Sequence, residues 1–261
     1  MLKFRHSGKL GDIIYSLPAV KSCRHAALYL NVGGDFGLQR SHVNALLPLL
    51  RCQDYLEEVK LYEGEPFEYD LDRFRALYPA TQNLADCHLK LLGLSPVWRN
   101  EPWLTVPRRK GPGENYVVFA RSINHHGIPG LWPACYSLLS HKAVFVGSGL
   151  EHGLFEAEFG PVPYAETRSF LDLATLIDGA DLFVGNQSSP YAVAEGLKVP
   201  AIQETCVGTA NCLFERANAM HVLSEADLPA VPEFVQRWVG SEASCVIGDR
   251  RSEHGSPTGS S

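Results

Sequence analysis

The sequence lacks any Cys-x-x-Cys pair, and its seven cysteines are scattered along the chain. An odd number of isolated thiols is not typical of a disulfide framework, and it does not supply the paired ligands of a zinc knuckle. We therefore expect most of these cysteines to be reduced thiols of the core or the surface.

Long apolar runs are also missing. The first residues, MLKFRHSGKLGD, contain no apolar core of a signal peptide, and no stretch approaches the roughly 18 apolar residues that cross a bilayer. We expect no membrane span and a cytoplasmic location.

The sequence has no surplus of positive charge. Lys and Arg number 23 against 29 Asp and Glu, which gives a formal net charge of -6. Long-range capture of DNA or of an anionic membrane by a basic field is therefore disfavoured, although a local basic patch remains compatible with this charge. A hydrophobic fraction of 45% indicates a folded chain rather than a disordered one.

Strand-like and helix-like patterns alternate along the chain. A short apolar segment from Leu2 to Arg5 is followed by the loop HSGKLGD, the helical pattern IIYSLPAVKSC and the strand pattern AALYLNV. Such a β-α-β start predicts an α/β fold with a parallel sheet.

The segment PRRKGPGEN is rich in Pro, Gly and charge, and it has no apolar periodicity, so it is the best candidate for a linker. The alternation restarts after it, which predicts a second doubly wound half that ends in closing helices from Leu213 to Val239. We expect domains at 1–108 and 115–240, while the small and polar residues at the end predict a disordered tail at 241–261.

The loops that follow strands are the places to look for a site, because ligands bind beyond the carboxyl ends of parallel strands. In the first such loop, the candidates for an acceptor or phosphate loop are Ser7, Gly8, Lys9 and Gly11. Asp12 stands at the entrance of the helix, where it could be a catalytic group or simply an N-terminal cap. The loop fits neither a P-loop nor a dinucleotide fingerprint.

Two loops of the second half carry further candidates. Asn186, Gln187, Ser188 and Ser189 follow a strand and precede a helix, as in a phosphate cradle, although a plain helix cap explains the serines equally well. Arg121 could pair with phosphate oxygens through its planar guanidinium. The adjacent His125 and His126 lack the partners of a metal motif, so we predict no metal site.

Several motifs together resemble those of glycosyltransferase family 9, the lipopolysaccharide heptosyltransferases and their relatives. They are SGKLGDIIYSLPAVK in the first half, and LWPACYSLL, VFVGSGLE, SFLDLATLIDGADLFVGN and SSPYAVAEGLKVPAI in the second. The resemblance implies a GT-B fold, in which the parallel sheets of two Rossmann-like, doubly wound domains face each other across a cleft.

The same resemblance implies an inverting, metal-independent transferase with Asp12 as the catalytic base. The donor would be a nucleotide sugar, bound as a substrate and with no cofactor. The predicted donor-binding residues are Arg121, Asn186, Gln187, Ser188, Ser189 and Glu195. The acceptor would be a glycan or another polymer that bears hydroxyl groups.

The donor loop departs from the family pattern. Gln187-Ser188-Ser189 occupies the place of an Asp-Thr-Gly-like triplet, and Ala192 occupies that of a nearby His. Three other interpretations therefore stay open: a non-catalytic nucleotide-sugar-binding protein, a nucleotide-sugar epimerase of GT-B shape, and a phage glycosyltransferase that modifies DNA. The acidic net charge lends the last one no support.

Overall fold

The computed structural model describes residues 1–34, 37–79, 81–107 and 115–240. Residues 108–114, which form most of the predicted linker, and the predicted tail 241–261 lie outside the described residues. The described chain forms two α/β halves, each built on its own parallel sheet.

The first half is built on a four-stranded parallel sheet with the order β3-β2-β1-β4. Its strand β2 reads AALYL and is buried along its whole length, as expected for an inner strand covered on both faces. The elements are β1 (Leu2–His6), α1 (Leu10–Lys21), β2 (Ala26–Leu30), α2 (Arg40–Leu50), β3 (Leu56–Leu61), β4 (Tyr69–Asp70), α3 (Phe74–Leu77) and α4 (Leu84–Leu91).

The second half is built on a five-stranded parallel sheet with the order β6-β5-β7-β8-β9. The elements are β5 (Val117–Ala120), α5 (Leu131–Leu139), β6 (Ala143–Phe145), α6 (Gly149–Phe159), α7 (Phe170–Asp178), β7 (Leu182–Asn186), α8 (Ser189–Leu197), β8 (Ala201–Glu204), β9 (Ala219–Val222) and α9 (Val231–Val239).

The two halves pack against each other directly. Helix α1 contacts α8, and α2 contacts α7. The backbone N–H groups of Trp103 and Leu104 donate to the carbonyl oxygen of Gly196 at 2.9 and 3.0 Å. One apolar cluster runs through both halves, so burial of α1 on two sides holds the loop that precedes it at the junction.

Three elements differ from the sequence-based expectation. The stretch from Leu213 to Val239 is predicted to be closing helices, but it contains the strand β9, which completes the edge of the second sheet beside β8. Helix α6 and the two-residue strand β4 are not predicted either, since α6 has an irregular apolar pattern and β4 is too short to show alternation. Within the described residues, no helix has both the length and the apolar character that crossing a membrane requires.

Candidate functional site

The strand order places one switch point in each sheet. In the first sheet, β1 lies between β2 and β4, and in the second, β5 lies between β6 and β7. Ligands of open parallel sheets bind where the strand order reverses, beyond the carboxyl ends of the strands. The segments that follow β1, β4, β5 and β7 all contribute to a cleft of about 810 Å³ between the halves.

Six of the predicted site residues line this cleft. The first half supplies three and the second half supplies three, so the fold brings the two predicted loops together. They are Lys9, Gly11, Asp12, Gln187, Ser188 and Ser189.

Asp12 occupies the third position of α1, and it lines the cleft. Its Oδ2 atom accepts a hydrogen bond from the backbone N–H of Lys9 at 3.1 Å, and the same oxygen forms an ion pair with the Arg75 guanidinium. The side chain is 13% exposed. Asp12 is therefore a cap of the first turn of α1 and, at the same time, an acidic group in the cleft.

Ser7 does not line the cleft. Its backbone N–H and its hydroxyl donate to the Asp72 carboxylate at 2.9 and 2.6 Å, and the His6 Nδ1 atom lies 2.8 Å from Asp72 Oδ1. Burial alone would raise the pKa of Asp72, but the hydrogen bonds with His6 and Ser7 outweigh it and hold that pKa below its usual value. Ser7 thus anchors an ionised carboxylate behind the cleft wall.

Gly8 is required by the packing around the loop. A Cβ atom at this position would lie 2.6 Å from His6 Cε1 and 3.0 Å from Asp12 Cβ, so no other side chain fits without a shift of the loop. Gly11 lines the cleft, but a Cβ atom there would meet no protein atom within 4 Å. The close approach that requires Gly8 is between protein atoms, whereas Gly11 leaves room for a ligand.

Asn186 organises the site without lining it. The side chain is fully buried. Its Oδ1 atom accepts the backbone N–H of Ser122 at 3.0 Å, and its Nδ2 atom donates to the Ser122 carbonyl oxygen at 3.1 Å. Asn186 thereby fixes the loop that follows β5 against the loop that follows β7.

Ser188 and Ser189 lie where the cleft meets a second pocket of about 230 Å³. Ser188 is the N-cap residue of α8, and its hydroxyl donates to the Asn186 carbonyl oxygen at 3.2 Å rather than to the first turn of the helix. The N-terminal N–H groups of a helix have no partners within the helix, so this end of α8 can bind an anion.

Arg121 and Glu195, two more of the predicted donor-binding residues, do not line the cleft. Arg121 lines the smaller pocket, not the cleft, and its guanidinium pairs with Glu158 at 2.6 Å, so an acidic partner already holds it. Glu195 reaches neither pocket: it is fully buried and pairs with Lys198 and with Arg216, the latter at 2.9 Å. These contacts give Glu195 a structural role, and its assignment to donor binding stays a prediction that they do not support.

Arg75 is a site residue outside the predicted set. It lines the cleft and contacts Asp12 directly. It belongs to the segment YDLDRFR, in which Asp72, Arg73 and Arg75 follow the strand β4. The spacing of Asp70 and Asp72 is that of a metal-binding Asp-x-Asp triplet, but Asp70 pairs with Arg5 at 2.6 Å and Asp72 is bound by Ser7. In the described part of the chain, no cluster of three His, Cys, Asp or Glu side chains could hold a metal ion.

The architecture defines the class of fold. Two parallel-sheet α/β halves, with a switch point in each and a cleft between them, form a GT-B, Rossmann-like fold. This confirms the fold class expected from the sequence.

Comparisons with solved structures give the same class of fold. No protein-family model matches the sequence, and no curated protein does. A family 9 glycosyl transferase from Veillonella parvula is similar at 13% identity with a TM-score of 0.59, over 92% of this chain and 90% of that one.

Two proteins of E. coli are also similar in structure. ADP-heptose lps heptosyltransferase II matches at 14% identity with a TM-score of 0.56, over 92% of this chain and 98% of the other. The heptosyltransferase WaaC with ADP-2-deoxy-2-fluoro heptose matches at 13% identity with a TM-score of 0.53, over 90% and 99%. At these identities the likeness establishes the fold.

Proposed function

We propose that this chain is a glycosyltransferase that moves a sugar from a nucleoside diphosphate sugar to an acceptor hydroxyl. The observation that carries this proposal is the composition of the cleft. One half contributes the Asp12 carboxylate, and the other contributes the start of α8 with Ser188 and Ser189. A base and an anion-binding helix end thus share one space at the switch points of both sheets.

The donor diphosphate belongs at the start of α8. The helix dipole and the first-turn N–H groups favour negative charge there, and the segment Gln187–Ser189 has no acidic side chain to repel phosphate. The smaller pocket opens from this point and is of a size to receive part of the nucleoside. The similar E. coli heptosyltransferase WaaC has solved structures with ADP and with ADP-2-deoxy-2-fluoro heptose, so ADP-sugars are the first donors to test.

The chemistry requires one base. Asp12 takes the proton of the acceptor hydroxyl while that oxygen attacks the anomeric carbon, and the bond from that carbon to the diphosphate oxygen breaks. A single displacement of this kind inverts the anomeric configuration. The negative charge that develops on the diphosphate is stabilised by the start of α8 and by Lys9, which lines the same cleft, so the proposal calls for no metal.

The acceptor belongs on the first half. The part of the cleft near Asp12 is lined there by Leu38, Phe74 and Tyr78. Aromatic and aliphatic side chains can pack against the faces of sugar rings, so a glycan acceptor is compatible with this wall.

A ligand screen followed by a transfer assay tests the function. A ligand that binds the native state raises the melting temperature, by an amount that follows from its concentration and dissociation constant. We expect nucleoside diphosphates and their sugars to raise it, and the corresponding nucleosides without phosphate to raise it much less. A panel in which no nucleotide changes the melting temperature would contradict the proposal.

The transfer assay separates the remaining interpretations. The proposal expects release of nucleoside diphosphate that depends on an added acceptor, with the sugar recovered on that acceptor. Binding without release across the acceptor panel indicates a non-catalytic nucleotide-sugar-binding protein. Release of nucleoside diphosphate without any acceptor favours an epimerase, and transfer to DNA alone identifies the DNA-modifying alternative.

A further inference from the structure

Arg75 forms an ion pair with one oxygen of the Asp12 carboxylate. Its Nη2 atom donates to Asp12 Oδ2, and the Lys9 backbone N–H donates to the same oxygen at 3.1 Å. Among the described residues, no hydrogen bond is made to Asp12 Oδ1. The two oxygens of this carboxylate therefore differ, because Oδ2 is held by two donors whereas Oδ1 has no such donor among the described residues, and the side chain that carries both lines the cleft.

The Arg75 guanidinium is itself held in place. Its central carbon lies 4.5 Å from the centroid of the Phe74 ring, and its Nη1 atom lies 3.9 Å from Asp72 Oδ1. Asp72 in turn accepts the N–H and the hydroxyl of Ser7. Because Ser7 directly follows β1 and Arg75 lies just beyond β4, these contacts tie the two strands that flank the switch point to each other and to Asp12.

We propose that Arg75 is a positioning residue for Asp12, an inference that rests on the function proposed above. By holding Oδ2, Arg75 presents Oδ1 to the acceptor hydroxyl. The hydroxyl proton passes to Oδ1, the acceptor oxygen bonds to the anomeric carbon, and the diphosphate leaves with the electron pair of the broken bond.

The expected effect of Arg75 on the rate of transfer follows from the geometry of proton transfer. A general base acts only when it is within hydrogen-bond reach of the proton, and a misplacement of about 1 Å can cost roughly 100-fold in rate. Loss of one of two donors leaves the carboxylate held by the Lys9 N–H alone. The contacts of Arg75 with Asp12, Asp72 and Phe74 all lie in the first half, so its effect is expected in turnover and not in donor affinity.

Replacement of Arg75 by Ala, with rescue by added guanidinium ion, tests the proposal. We expect kcat to fall by about 10- to 100-fold while KM for the donor changes by less than about twofold. Guanidinium chloride at a non-denaturing concentration should restore part of kcat, and Arg75→Lys should keep more activity than Arg75→Ala. Unchanged kcat, or a fall that guanidinium does not reverse, would overturn the proposal.

Arg73 provides the matched control. It lies two residues earlier, is exposed, and makes no ion pair within the described part of the chain. Arg73→Ala should leave kcat and both KM values unchanged and should not respond to guanidinium. If kcat falls equally in Arg73→Ala, the fall in Arg75→Ala results from the loss of local charge and not from the loss of the contact with Asp12.

A thermal double-mutant cycle separates failure of this inference from failure of the proposed function. If wild-type protein transfers no sugar, the proposed function fails, but the Arg75–Asp12 contact is still tested by Asp12→Ala, Arg75→Ala and the double variant. The contact predicts that the fall in melting temperature of the double variant differs from the summed falls of the single variants. Additive falls would overturn the inference whatever the activity.

Discussion

The Gln187 side chain accepts the backbone N–H of Cys206, with 2.6 Å between Oε1 and N. Its Nε2 atom also donates to the Thr209 carbonyl oxygen at 2.7 Å. The amide thus holds the segment 206–209 over the cleft through both of its ends. A carboxylate at this position could accept from Cys206 but could not donate to Thr209, which gives a physical reason for glutamine here.

Gln187→Met should therefore lower the free energy of unfolding by about 1–3 kcal/mol, because a backbone N–H and a carbonyl lose their partner. Urea unfolding of this variant beside Gln236→Met, a change at an exposed position of α9, measures the loss. From the sequence, Gln187 is expected to affect donor preference more than stability. An unchanged free energy of unfolding, together with an altered preference among nucleotides, would support this sequence-based expectation instead.

Glu195 is the second residue for which the structure predicts a stability effect. Glu195→Ala leaves the partly buried Lys198 and Arg216 without the fully buried carboxylate that they share, so we expect a loss of up to about 3–5 kcal/mol in unfolding free energy. Nucleotide affinity of the folded variant should not change. The exposed pair Glu233–Arg237 is the control, and Glu233→Ala should cost less than about 1 kcal/mol. A Glu195 variant with normal stability and weakened nucleotide binding would reinstate Glu195 as a donor-binding residue.

His88 makes stability depend on pH. It is fully buried against Phe74, and neither ring nitrogen has a hydrogen-bond partner among the described residues. Burial lowers the pKa of His88 well below its usual value, and the nearby His6 and Arg75 charges act in the same direction. Below about pH 6.5 the His88 side chain takes up a proton in the unfolded chain but stays neutral in the native state. The free energy of unfolding therefore falls as the pH falls.

His88→Phe should remove this dependence. Between about pH 7 and pH 5.5, the wild type should lose about 1 kcal/mol more of its unfolding free energy than the variant does. Exposed His141 offers the control, since His141→Phe should keep the wild-type slope. Parallel stability curves for wild type and His88→Phe would show that His88 titrates normally in the native protein.

The fold and much of the site follow from local sequence, and the remainder depends on tertiary contacts. The loop that holds Asp12 and the loop that holds Ser188 each stand between a clear strand and a clear helix, so periodicity alone indicates both. Arg75 follows a two-residue strand that no pattern reveals. Gln187 bonds to partners 19 and 22 positions away, and Glu195 pairs with Arg216, which lies 21 positions away, as well as with the nearby Lys198. Sequence spacing does not encode such pairings.

Ser188 and Ser189 are predicted to hold the donor diphosphate. Replacement of both by Ala should weaken binding of a nucleoside diphosphate by about 1–3 kcal/mol, the scale of hydrogen bonds to a charged group. Because Ser188 makes no side-chain bond to the first turn of α8, stability should change little. Titration calorimetry beside Ser140→Ala, a change outside both pockets, measures the effect. Unchanged affinity would assign the phosphates to the backbone of α8 alone, and a nucleotide found outside the cleft would remove the site.

The central claim is that Asp12 is the base of a sugar transfer, and the rate of transfer by Asp12→Asn tests it most directly. The amide keeps the size of the side chain and can still accept the Lys9 N–H, but it cannot take a proton. We predict a fall in turnover of about 10²- to 10⁴-fold, with donor affinity and melting temperature near those of the wild type and of Asp54→Asn, an exposed control in the same half. An Asp12→Asn variant that keeps more than about a tenth of wild-type turnover would contradict the claim.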